Sequence, residues 1–196
     1  MSTKKYSIEQ FNNLMGNIYP IIKVDISDQE QFPDEFSINF NKEDEPIHIR
    51  LVGDLMLFFG IDRGENYELL LRNNFDFSIE DLTLYKIAFE NLNSFLEGKI
   101  QIVDTKIGCK MLVCGYDFEA AAIQMSWLKK ELLKMYGEKL VIGIVSKDVV
   151  LMAKQSEKDI INNMKKEIFE IHRDGEKLLS KKLFLLDDEN FTVCNA

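Results

Sequence analysis

Three glycines constrain this chain more than any other feature. Gly98, Gly137 and Gly175 each close an amphipathic segment, and they lie 39 and 38 residues apart. After each comes a lysine, directly or behind a glutamate, and then an apolar run. A unit of two short strands followed by a helix therefore recurs three times. Repeats of this length can stack as a solenoid, but the stretches between the glycines share little residue identity. Helices also alternate with strand pairs, whereas a doubly wound parallel sheet carries one strand per crossover. The expected fold is α+β: a curved antiparallel sheet built from hairpins, with about four helices on one face.

The helix starts are read from caps. Ser7-Ile8-Glu9-Gln10 has the capping-box pattern, in which the serine hydroxyl and the glutamine side chain satisfy amides of the first turn. Ile8, Phe11, Leu14, Met15 and Ile18 continue it as an apolar stripe. Ser78 opens a second helix stopped by Gly98, Asp117 a third stopped by Gly137, and Ser156 a fourth with Gly175 beyond its end. Between the helices, apolar runs flank turn residues as five hairpins: 36–40 with 47–51, 55–61 with 67–71, 100–104 with 109–114, 140–145 with 149–153, and 183–186 with 191–194. A chain of 196 residues, 46% of them hydrophobic, falls in the size range of one domain. The expectation is a single domain over 1–196, with the first helix and an acidic loop in 1–35 and the hairpin-helix body in 36–196.

Charge narrows the function. The net charge is -9; residues 1–100 carry 9 basic against 18 acidic side chains, and residues 101–196 carry 15 of each. Asp25, Asp28, Glu30, Asp34, Glu35, Glu43, Asp44 and Glu45 concentrate the excess. Such a field repels phosphate backbones and anionic lipid, so neither nucleic acid nor membrane is the expected partner; a basic protein is compatible with it. The longest apolar run, Leu55 to Ile61, is far short of the roughly 20 residues that cross a bilayer. The amino terminus has no apolar region of a secretory signal, which points to the cytoplasm. Cys109, Cys114 and Cys194 are then read as reduced thiols, with Cys109 and Cys114 on opposite faces of one strand. No phosphate-binding glycine loop, nucleophile elbow or metal-ligand spacing is present, so no cofactor and no metal is expected.

Few residues offer chemistry. His48 alternates with Ile47, Ile49 and Leu51 and points off the apolar face, and His172 sits in the last turn of the fourth helix, where a cation complements the dipole. Asp148 lies in a tight turn, and Asp117 and Glu119 lie at the start of the third helix; these three carboxylates are the candidate small-ligand site. The third helix is apolar on two faces, and Ile123 and Trp127 on the second are candidate anchors for a partner or a second copy.

Several segments are collinear with a known pattern from about Tyr19 to the end. These are Tyr19-Pro20-Ile21-Ile22, Leu57-Phe58-Phe59-Gly60-Ile61-Asp62, Ala88-Phe89-Glu90-Asn91-Leu92, Phe118-Glu119-Ala120, the strand pair from Val141 to Val150, and Leu179-Ser180-Lys181-Lys182-Leu183-Phe184. In order and spacing they resemble the YtpQ-like family of bacterial domains of unknown function. Ala121 stands where that family has a serine, and Val145 and Leu178 where it has prolines. The resemblance implies an intracellular bacterial protein and carries no activity, substrate or catalytic residue with it.

The leading expectation is a non-enzymatic protein-interaction module, of which immunity proteins that neutralise basic toxins are one class. The competing expectation is a small-ligand binder or enzyme using Asp117, Glu119 and Asp148. A homodimer, through a sheet edge or the third helix, is compatible with both.

Overall fold

The computed structural model describes residues 5–25 and 45–194. The expected strand at 36–40 and most of the acidic cluster lie outside them. The fold is α+β with antiparallel sheets, and it divides into two compact units, Met1–Leu51 with Met56–Phe95, and Val52–Leu55 with Leu96–Ala196. The strands are shared between two sheets, where the sequence pattern was read as one. Among the described residues no helix is long and apolar enough to cross a membrane.

In the first unit, α1 (Ile8–Leu14) opens with the expected capping box: Gln10 N–H donates to Ser7 Oγ at 3.3 Å, and Ser7 N–H to Gln10 Oε1 at 3.0 Å. The helix ends four residues before Ile18, because a 3₁₀ turn leads into a strand that the sequence reading missed, β1 (Ile18–Val24). Pro20 obscures β1, since proline demotes a run read as a strand. It is tolerated because β1 ends the strand order, where a missing N–H breaks no ladder. The remaining strands are β2 (His48–Arg50), β3 (Leu55–Asp62) and β4 (Tyr67–Leu69), with β2 and β4 both antiparallel to β3. The second helix, α2 (Asp81–Leu96), begins three residues after Ser78. Its Asn91 amide donates to the carbonyls of Met15 and Ile18, at 2.6 and 2.8 Å.

The second unit holds a six-stranded sheet: β5 (Gln101–Asp104), β6 (Lys110–Val113), β7 (Leu140–Ile144), β8 (Val150–Lys154), β9 (Leu183–Asp187) and β10 (Asn190–Val193). The order is β10-β9-β7-β8-β6-β5, every neighbour antiparallel, and β5–β6, β7–β8 and β9–β10 are the three expected hairpins. The expected third helix is two, α3 (Glu119–Ala122) and α4 (Ser126–Tyr136), because Met125 is extended (φ -64°, ψ 126°) and breaks it. The fourth is α5 (Lys158–Asp174), with Glu157 rather than Ser156 at its cap; the Ser156 hydroxyl instead donates to Glu138.

Both crossovers skip a strand. The chain leaves β6 through α3 and α4 and returns in β7, with β8 between them; it leaves β8 through α5 and returns in β9, with β7 between them. The two steps run in one direction across the sheet, but β6 and β8 are antiparallel. Right-handed crossovers then put α4 and α5 on opposite faces, not on one. Ile161, Met164 and Ile168 of α5 accordingly cover Val141, Val145, Leu151, Ala153 and Leu183. On the other face the Lys129 ammonium of α4 sits 5.5 Å from the centre of the Phe191 ring, and Glu189 of the β9–β10 turn accepts from Ser126 at 2.5 Å. Strand β7 is buried along its whole length for this reason. The glycines that mark the repeat stop helices by two routes. Gly98 and Gly137 are left-handed (φ 70° and 68°), a conformation that disfavours a Cβ. Gly175 is extended, and a Cβ there would collide with the Ile171 carbonyl.

Candidate functional site

The site lies in the second unit, at the end of the sheet where β6 gives way to α3. Three consecutive residues there, Gly115, Tyr116 and Asp117, are left-handed, at φ 77°, 65° and 62°. For tyrosine this backbone is strained and persists only if its surroundings hold it. Glu119 holds it. Its Oε1 accepts from the N–H groups of both Cys114 and Gly115, at 2.9 and 2.7 Å, so the first turn of α3 reaches back to fasten the strand end. The residue is buried, and its Oε2 has no hydrogen-bond partner. Asp117 is therefore not the helix cap expected for it; it belongs to the loop.

Neighbouring segments complete the frame. Ala120 N–H donates to the Lys147 carbonyl of the β7–β8 turn at 3.0 Å, and Lys147 N–H donates to the Lys177 carbonyl at 3.3 Å. The Lys177 ammonium reaches Asp117 Oδ2 at 2.5 Å. That bond raises the ammonium above the ordinary lysine range, with smaller contributions from the fields of Asp148 and Glu176. Ser146 donates to Asp148 Oδ1 at 2.7 Å, within the turn. The fold thus brings Asp117, Glu119 and Asp148 to one end of one sheet, but they do different work: Glu119 is consumed internally, while Asp117 binds Lys177 and Asp148 binds Ser146. Tyr116 stands over them 70% exposed, with the Lys99 ammonium 5.3 Å from its ring centre.

Ile123 and Trp127 part company. The helix break at 123–125 leaves Ile123 fully buried, whereas Trp127 faces outward on α4, 46% exposed. Sequence reasoning missed Tyr116 and Lys177. Gly115 after an apolar strand signals a turn, but nothing in the residue types announces a left-handed tyrosine. No known protein family, curated protein or solved structure matches the chain.

The remaining reactive groups have structural employment. His48 and His172 hold their ring Nδ1 2.9 Å from the carbonyls of Pro46 and Ile168. Among the described residues no group of three or more His, Cys, Asp or Glu side chains comes together as a metal cage. Burial, reinforced by the Glu119 charge, pushes the Cys114 thiol up from 9.0 to about 12, so the group stays protonated and is a poor nucleophile at neutral pH. A folded-state value above the unfolded one means that this stabilisation is complete below about pH 9 and is lost as the pH climbs toward 12. The unfolding free energy read from urea titrations is expected to fall between about pH 9 and about pH 11, by up to about 1.4 kcal/mol per pH unit less steeply for Cys114→Ala than for the parent. Parallel slopes for parent and variant would contradict this.

Proposed function

We propose that the protein is a non-enzymatic interaction module of the bacterial cytoplasm, of the immunity type, that grips a basic protein partner through the Gly115–Asp117 loop. The observation that carries the reading is Tyr116: a large aromatic side chain, mostly exposed, on a strained backbone held by a buried carboxylate. A rigidly presented aromatic that a partner's pocket can desolvate, ringed by polar contacts, is the usual form of an energetic hot spot. Around the loop Asp117, Asp148 and Glu176 are balanced by Lys99, Lys147 and Lys177, so the attraction of a basic partner rests on the net charge of -9. Complementary charge of that kind speeds encounter with a cationic partner. The collinear segments described above further support membership of the YtpQ-like group.

A photocrosslinking side chain at position 116, irradiated in extract of the source cells, is expected to give one discrete heterologous adduct. With that partner purified, Tyr116→Ala should weaken calorimetric binding at least about tenfold, or about 1.4 kcal/mol, with no shift in urea midpoint. Binding untouched by both Tyr116→Ala and Asp117→Ala would remove the loop from the function. A small-ligand site is the second reading, favoured by the placement of Asp117 and Asp148 on neighbouring segments that are joined by backbone hydrogen bonds at one end of the sheet. It requires that a small cationic compound raise the melting temperature of the parent and not of Asp117→Asn.

A further inference from the structure

Asp117 is only half engaged. Lys177 Nζ reaches its Oδ2 at 2.5 Å, and among the described residues nothing donates to its Oδ1. Another aspartate of the same chain is held by both oxygens: the Arg72 guanidinium binds Asp81 through two parallel bonds, Nη1 to Oδ1 at 2.8 Å and Nη2 to Oδ2 at 2.9 Å. An ammonium is a point charge that satisfies one oxygen, whereas a guanidinium is a planar fork matched to two. Beside Asp117 the Tyr116 ring already lies near one cation, the Lys99 ammonium 5.3 Å from its centre. A guanidinium can stack its plane on such a ring, which an ammonium cannot do.

We propose that the loop recognises an arginine of its partner: the guanidinium takes both oxygens of Asp117 and lies against Tyr116, and Lys177 is the resident cation that it displaces. This chemistry rests on the loop being the gripping surface, and it names the group that is gripped. Displacement costs little. Asp117 and Lys177 are both exposed, and exposed ion pairs contribute little to stability. The released ammonium stays in the fields of Asp148 and Glu176, which already act on it. The carboxylate needs little further ordering, because the left-handed backbone at 115–117 is fastened by Glu119.

Acetyl-arginine amide and acetyl-lysine amide, titrated into the isotope-labelled full chain at constant ionic strength, test this through the amide chemical shifts of Gly115, Tyr116 and Asp117. The arginine compound should half-saturate these shifts at about one third of the concentration that the lysine compound needs, and Asp117→Asn should abolish the preference. Substitutions at Lys177 separate competition from support. Position 177 is left-handed (φ 54°), a strain that falls alike on Lys, Met and Arg, so the variants differ at the charged group. Lys177→Met removes the competitor and should tighten arginine binding about threefold; Lys177→Arg installs a better competitor and should weaken it by about as much. A lysine that merely supported the loop would give the opposite order, with Lys177→Met the weaker binder. Equal affinity for the two compounds, a preference that survives Asp117→Asn, or tighter binding by Lys177→Arg than by Lys177→Met would each overturn the proposal. Photocrosslinking at position 116 keeps the two claims apart. A partner captured there by a chain without arginine preference would leave the docking loop standing and remove this chemistry; an arginine preference with no captured partner would leave the chemistry standing and remove the docking role.

Discussion

Replacing Glu119 with alanine lowers the unfolding free energy by about 3–4 kcal/mol. The variant leaves the buried N–H of Cys114 and the half-buried N–H of Gly115 without their acceptor, and an unsatisfied buried group costs about 1–3 kcal/mol. Glu119→Gln is the informative comparison, because its carbonyl oxygen can take both bonds without a charge, and its loss is expected to be nearer about 1 kcal/mol. Urea denaturation followed by circular dichroism reads the difference. Equal midpoints for the two variants would show that the carboxylate does not fasten the loop. The same pair bears on function: if Tyr116 is held by Glu119, crosslinking through position 116 should survive in Glu119→Gln and become unselective in Glu119→Ala.

Phe184→Ala is expected to be at least as damaging, by about 3–5 kcal/mol. The ring is fully buried on β9, opposite Ile142 of β7, and stacks edge-on against Phe191 at 6.5 Å. It therefore ties the edge hairpin to the centre of the sheet on the side that α4 covers. Phe184→Leu keeps most of the volume and should lose about 1–1.5 kcal/mol. Phe191→Ala, on a half-buried ring, should lose less than Phe184→Ala. A melting temperature for Phe191→Ala below that of Phe184→Ala would place the core elsewhere.

The legible part of the fold was its hairpins. Alternating apolar runs around Gly64, Gly108, Lys147 and the Asp187–Asn190 turn predicted four antiparallel pairs that the structure contains, because strand pattern and turn chemistry are local properties. Less local information was hidden. Pro20 masked β1, and a helical apolar pattern ran unbroken across Met125 although the backbone does not. The placement of α4 and α5 on opposite faces had a trace in the unbroken apolar run from Leu140 to Val145, since a strand covered on both sides need not alternate. At the site, the three carboxylates read from the sequence do share one end of the sheet. What distinguishes them is burial and partners: Glu119 faces two amides, Asp117 a lysine and Asp148 a serine. None of these follows from spacing along the chain.

The skipped-strand crossovers also dictate an order of events on the ribosome. Strand β7 emerges with β8, yet its other neighbour, β9, lies beyond the whole of α5 and arrives some 40 residues later. Through that interval a fully apolar strand offers an open row of backbone donors and acceptors, the situation that invites pairing with another nascent chain. Helix α5 shields only the face of β7, not its edge. The last hairpin is thus the stopper of the molecule: until β9 seats against β7, the nascent chain keeps an aggregation-competent edge at the centre of what will become its larger sheet.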